Sequence, residues 1–265
     1  MKSLTYICIV FLGLNLSAFT FGDQTTFQYR TVKNKAFTYG EKLNFRIHYG
    51  ILNAAYVNIV IDEKPTLIEG RPTFHITTKG NTYKHFDFMY KVRDHFESYV
   101  DTTSMAPLKY YKSVQEDKYK DHDLVFYHHD TKKLNGYKKN MDMPEYVQDI
   151  VSALYYARTL EYGTAYVGKT FPIDVYLDQT IYNLKFKYLG KETIKTGLGK
   201  IECIKLRPQL VVDRVFKDED DMTVWISADK NHIPIRIQTD IFVGSLKVDL
   251  ESYSGLNNIF EALVK

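Results

Sequence analysis

Apolar and polar side chains alternate with a period of two along most of this chain. Leu43, Phe45, Ile47 and Tyr49 take turns with Lys42, Asn44, Arg46 and His48, the pattern of a strand with one dry face and one wet face. Ala55, Val57, Ile59 and Ile61 repeat it against Tyr56, Asn58 and Asp62, and Gly50-Ile51-Leu52-Asn53 between the two runs supplies a hairpin connection. The same alternation predicts strands over 74–78, 92–100, 108–114, 124–127, 171–177, 182–188, 201–206, 222–226, 233–241 and 246–250. Glu69-Gly70, Asp130-Thr131, Gly197-Leu198-Gly199 and Asp229-Lys230-Asn231 bend the chain between them. Links this short make neighbouring strands antiparallel.

Between Pro144 and Leu160 the period becomes helical, predicting a helix over about 147–160. Val147, Ile150, Val151, Leu154 and Ala157 form its apolar stripe, Asp149 is placed to cap the first turn, and Gly163 lies just past the end. A lone helix among strands must cover a sheet or plug a barrel, because neither element can leave its apolar side in water. The expected fold is therefore mainly β: a large antiparallel curved sheet, or an open or closed β-barrel, with one central α-helix packed on or in it. The strand-rich stretches 36–142 and 164–254 are not separated by a Pro-, Gly- or Ser-rich linker. They are read as one domain over 36–256, with an N-terminal extension over 23–35 and a C-terminal tail over 257–265.

The first segment reads as an address. Lys2 is the only charge before Asp23, and an apolar run from Leu4 to Leu14 has the length of a secretory signal. A cut after Gly22, or alternatively after Thr20, would release the mature chain, so residues 1–22 are expected to be a signal peptide. Asn15, Ser17 and Thr20 hold the run below the ~20 strongly apolar residues of a membrane span. Export without a transmembrane segment follows, to the periplasm or the outer-membrane periphery. Removal of Cys8 leaves Cys203, in an alternating strand, as a small buried filler.

Composition adds little. The 45% hydrophobic and 25% charged residues are an ordinary globular mixture, and a formal net charge of +3 supplies no field that would compel a nucleic-acid partner. The 22 Tyr and 16 Phe provide amphipathic area for sheet packing or for holding an acyl chain or glycan.

Three stretches resemble one known family: Phe37-Thr38-Tyr39-Gly40-Glu41-Lys42-Leu43, the helix text from Gln148 to Arg158, and Met222-Thr223-Val224-Trp225-Ile226-Ser227-Ala228-Asp229 followed by Pro234. Together they are similar to the bacterial exported-protein family catalogued as domain of unknown function 3108. Asn53-Ala54-Ala55 stands where that family's pattern leads one to expect a small, glycine-containing step. The resemblance implies a β-rich envelope protein without an established activity, and by fold-level analogy a likeness to wrapped-sheet carriers of lipidated cargo.

Among chemistry-bearing residues, Asp121-His122-Asp123 and His128-His129-Asp130 invite a metal reading. His122 and His128 stand roughly 20 Å apart along an extended strand, and His128 and His129 point to opposite faces. A solvated hairpin is expected, with no metal and no cofactor. Asp218-Glu219-Asp220-Asp221 lacks the glycine and distal glutamate of an EF-hand loop and reads as a charged hairpin. Lys132, Lys133, Lys138 and Lys139, with Tyr137 among them, form a local basic patch.

The helix carries the sharper candidates. Asp149, Ser152 and Tyr156 share a polar stripe, and Ser152 and Tyr155 could suggest nucleophile and base. Neither a Gly-x-Ser-x-Gly elbow nor a Ser-x-x-Lys motif accompanies them, so Asp149 is read as a cap and Arg158 as an ion-pair partner. Ser152, Tyr155, Tyr156, Arg158 and Trp225 are the candidate ligand-binding residues, and no catalytic residue is assigned. The expected protein is a non-catalytic envelope component binding a lipid, acyl chain or partner segment in a curved-sheet groove. A scaffold for outer-membrane or surface-polysaccharide assembly, binding an envelope protein or glycan, and an envelope hydrolase using the helix stripe are the alternatives.

Overall fold

A computed structural model describes residues 27–210, 222–240 and 244–264. The leader segment and the Asp218–Asp221 cluster lie outside these residues. In chain order, β1 (Lys42–Tyr49), β2 (Leu52–Ile61), β3 (Thr66–Ile68) and β4 (Arg71–Thr82) lead through a 3-10 turn at Lys84–Phe86 to β5 (Arg93–Asp101) and β6 (Pro107–Glu116). Next come β7 (Tyr119–His128), β8 (Lys133–Gly136) and β9 (Asn140–Asp142), then helix α1 (Ile150–Arg158). After the helix follow β10 (Thr170–Leu177), β11 (Thr180–Thr196), β12 (Gly199–Leu210), β13 (Met222–Ser227), β14 (Pro234–Asp240), β15 (Ser245–Ser254) and β16 (Leu263–Val264).

All these strands belong to one antiparallel sheet, running from β10 through β15 to β1, β2 and β4, and on to β9. The two strand-rich stretches are joined because β1 sits between β15 and β2, with Phe45 opposite Leu250 on one side and Val57 on the other. The sheet is not closed by hydrogen bonds: β9 and β10 are its two ends. It curls instead through side chains. The Tyr176 hydroxyl on β10 donates to Asp123 on β7 at 3.0 Å, and Lys112 on β6 forms an ion pair with Asp178.

Alternation puts Leu43, Phe45, Ile59, Ile61, Phe74 and Ile76 inside the curl, where they join residues of both walls and of α1 in one core. Each fully buried aliphatic or aromatic side chain of this kind contributes about 1.5–3 kcal/mol. Cys203 belongs to that core, its thiol pushed up to about 12 by burial. Turn chemistry acts as expected at Glu69 and Gly70, whose φ of 50° and 75° close the β3–β4 hairpin with the twist that strands favour. Gly255 answers a packing demand as well: a Cβ there would lie 2.3 Å from the Gly40 carbonyl oxygen.

Several expectations are corrected. The helix is shorter than 147–160, since Gln148 is extended and makes a parallel bridge to Val175 of β10. Its buried face also differs. Ile150, read as part of the apolar stripe, is 44% exposed, whereas Ser152, Tyr155 and Arg158 are buried. A helix packed inside a curled sheet keeps only a narrow solvent face, so polar residues go inside wherever they find partners. The stretch read as a tail is woven into the fold: Ala262 is buried, and β16 pairs with β12 through Lys200 and Ile201. The extension is likewise pinned where the Arg30 amide donates to the Tyr146 hydroxyl at 2.8 Å.

Candidate functional site

Asp149 and Arg158 tie down the two ends of α1. The Asp149 carboxylate accepts from the amides of Val151 and Ser152, both at 2.8 Å, while Ser152 Oγ accepts from the Asp149 amide at 2.8 Å. This reciprocal capping box satisfies donors that a helix start otherwise leaves open. From β5, Ser98 donates to the other carboxylate oxygen at 2.6 Å. Burial outweighs these bonds and raises the Asp149 pKa to about 6.

At the other end, Arg158 meets Glu41 of the β1 approach in a two-pronged pair, Nη1 to Oε1 at 2.6 Å and Nη2 to Oε2 at 2.7 Å. Arg158 Nε donates to the Asn231 carbonyl at 3.1 Å, and the Tyr155 hydroxyl donates to Glu41 at 3.2 Å. Phe37 and Tyr155 present their rings to the guanidinium at 5.1 and 4.9 Å. Every hydrogen-bonding nitrogen of Arg158 is engaged, on a side chain only 1% exposed.

The structure therefore brings Asp149 and Ser152 together, and separately Tyr155 and Arg158. Tyr156 is half-buried and faces the N-terminal segment, with the Arg30 guanidinium 4.8 Å from its ring. Trp225 stands apart on β13, its Nε1 donating to Glu192 at 3.1 Å and Lys205 lying over its ring. The Ser152 hydroxyl is fully buried, and it donates back to the Asp149 carbonyl at 3.2 Å. The Tyr155 phenol is held protonated by burial and by Glu41. This pair lacks the solvent access and the free base that hydroxyl nucleophiles require.

His129 also departs from the solvated hairpin expected of it. It is buried, with Nε2 2.8 Å from the Pro107 carbonyl and Nδ1 accepting from the Tyr146 amide at 3.3 Å, which fixes the proton on Nε2. Burial lowers its pKa. Among the described residues, no three His, Cys, Asp or Glu side chains come together to hold a metal ion. The basic patch is divided among local partners: Lys132 pairs with Glu145, Lys133 with Asp142 and Lys138 with Asp121, while Lys139 reaches the Gln179 carbonyl.

An open cleft of about 430 Å³ lies at the C-terminal end of α1. Lys33 and Lys35 from the N-terminal segment, Lys191 from β11 and Lys230 from the β13–β14 turn surround it, and all four are exposed. Leu160, Tyr162 and Ile204 supply apolar lining, Glu161, Asp229 and Glu261 line it as well, and Lys191 stands 3.6 Å from Glu202. His232 anchors the cleft to the helix, its Nδ1 donating to the Arg158 carbonyl at 2.8 Å, and burial keeps its pKa low. Sequence reading missed this cleft. Its lysines come from three stretches far apart in the chain, and of these the sequence marks only the Asp229-Lys230-Asn231 turn, as a bend.

A curled antiparallel sheet filled by a short helix defines a barrel-like β protein. The chain belongs to the family described as "Protein of unknown function (DUF3108)", whose model matches residues 44–251. A crystal structure of a β-barrel-like protein of the DUF1849 family from Brucella abortus shares the fold. Its TM-score is 0.52 at 10% identity, covering 86% of this chain and 99% of that one. A candidate lipoprotein from Parabacteroides distasonis aligns at TM-score 0.37 and 10% identity, over 86% of this chain and 100% of its own. A candidate exported protein with a YmcC-like fold from Bacteroides fragilis aligns at 0.32 and 9%, with coverages of 86% and 100%. No curated protein sequence matches the chain.

Proposed function

We propose that this protein is an exported, non-catalytic component of the cell envelope. It holds an amphiphilic ligand with an anionic group, an acyl chain with its headgroup or an acidic partner segment, in the cleft beside α1. The observation that carries this reading is the convergence of Lys33, Lys35, Lys191 and Lys230 around an apolar lining. The cleft volume falls within the ~300–1,000 Å³ of small-molecule sites, and flexible ammonium groups attract an anion without demanding one geometry. This reading puts the ligand in the cleft and not along the sheet, because α1 and the core occupy the concave side. Export rests on the apolar N-terminal run after Lys2.

Calorimetric titration with dodecyl phosphate tests the reading. Saturable binding is expected, weakened about tenfold or more, some 1.4 kcal/mol, in the double variant Lys33→Glu/Lys230→Glu. Both side chains are exposed, so the near-ultraviolet circular dichroism should not change. Equal affinity in the two proteins, or no saturable binding to either, would remove the cleft from consideration.

A further inference from the structure

The opposite end of the curled sheet carries a different surface. The β1–β2 turn, the 82–93 connection and the β6–β7 turn lie side by side along this edge. The Tyr83 amide donates to the Ala54 carbonyl at 3.1 Å, the Asp117 amide to the Lys91 carbonyl at 2.7 Å, and Val92 bridges to Glu116. Three consecutive connections thus form one continuous rim. Their tips are apolar where tips are normally polar: Ile51 is 96% exposed and Phe88 83%, and Leu52, Met89, Tyr90 and Tyr119 are also exposed. Lone exposed apolar residues need no explanation, but a contiguous group on projecting turns does.

Charge selects the occupant. Lys84, Lys91, Lys118 and Lys120 surround these tips, are exposed, and form no ion pair among the described residues. Of the nearby acids, Asp87 is neutralised by Arg93 at 2.6 Å, and Glu116 accepts from the Tyr90 hydroxyl at 3.4 Å. The phenol brings no positive charge to Glu116, so Glu116, Asp117 and the half-buried Asp94 are the acids here without an ion pair among the described residues, and the four lysines outnumber them. Apolar tips ringed by lysines, with tyrosines at the boundary, match the layered chemistry of an anionic bilayer surface: acyl chains, then interface, then phosphates.

We infer that this rim docks the protein onto an anionic phospholipid membrane. Ile51 and Phe88 enter the interface, the lysines pair with headgroups, and the cleft at the far end points away from the bilayer. Attachment through turn tips and lysines of this kind is peripheral and reversible; among the described residues no helix is long and apolar enough to cross a membrane.

The test is flotation of the protein, recovered from its own cell envelope, with vesicles of pure phosphatidylcholine or of equal parts phosphatidylcholine and phosphatidylglycerol. Binding to the anionic vesicles is expected, falling as salt rises. Ile51→Ser and Phe88→Ser should each lower partition about tenfold, and on the order of a hundredfold together. Lys84→Glu/Lys118→Glu should erase the preference for the anionic vesicles. These side chains are exposed, so unchanged near-ultraviolet circular dichroism and unchanged dodecyl phosphate binding would show that fold and cleft are intact. Absence of binding to anionic vesicles, or binding that survives the Ile51 and Phe88 substitutions, would overturn the inference. So would a stoichiometric protein partner lost with those substitutions.

Discussion

Replacing Arg158 by leucine is expected to destabilise the fold by about 3–5 kcal/mol, read from the urea midpoint at unchanged slope. The substitution strands Glu41, whose side chain has no exposure and whose two carboxylate oxygens both accept from Arg158. Tyr155 is left as its nearest donor, and a single 3.2 Å phenolic bond cannot replace a two-pronged guanidinium. The Asn231 carbonyl loses its Arg158 donor as well, which loosens the β13–β14 turn that borders the cleft. The double variant Glu41→Leu/Arg158→Leu should recover a large part of the loss, because an apolar pair of similar volume avoids burying an unmatched charge. A loss under about 1 kcal/mol in the single variant would mean that the pair does not fasten the helix to β1.

Asp149 should make stability fall as pH rises. Burial lifts its folded pKa to about 6 from a reference of 3.8, against the opposing bonds from Ser98, Ser152 and Val151. The unfolded chain therefore releases this proton near pH 4 while the folded protein keeps it to near pH 6. The contribution is fully present below the unfolded pKa and is lost as pH rises through the folded one. A shift of about two units corresponds to about 3 kcal/mol. Asp149→Asn keeps an oxygen for the cap and never ionises, so relative to the parent it should gain about 3 kcal/mol between pH 4 and pH 7. Taking the difference between the two proteins cancels carboxylates shifted the other way, such as Asp101 beside Arg71. A difference that stays flat across this range would show that Asp149 is not a buried carboxyl of raised pKa.

The fold was legible wherever a strand is long and one-sided. The runs at Leu43–Tyr49 and Ala55–Ile61, and each of the others read from alternation, coincide with observed strands, apart from Val92 and Ile233, which lie one residue before β5 and β14, and Ile241, outside the described residues. The strands β3, β8, β9 and β16 were not read, since runs of two to four residues hold too little alternation to show a period. The helix was recognisable from its spacing and its cap. Its orientation was not, because Ser152 and Arg158 look solvent-facing until Asp149 and Glu41 are known to be their partners. Glu41 and Arg158 are 117 positions apart, and nothing local couples them. The same distance hid the lysine cleft. Ile51 and Leu52 were seen as a hairpin connection, but only the neighbouring turns reveal the surface they build with Phe88 and Met89.

Native mass spectrometry of the protein recovered gently from its own envelope tests the binding function most directly. The expected spectrum shows a discrete mass excess that dissociates as an anionic amphiphile or an acidic peptide and is lost in Lys33→Glu/Lys230→Glu. A bare chain in the parent protein, or an excess carried equally by the charge-reversed variant, would contradict a ligand held in the cleft.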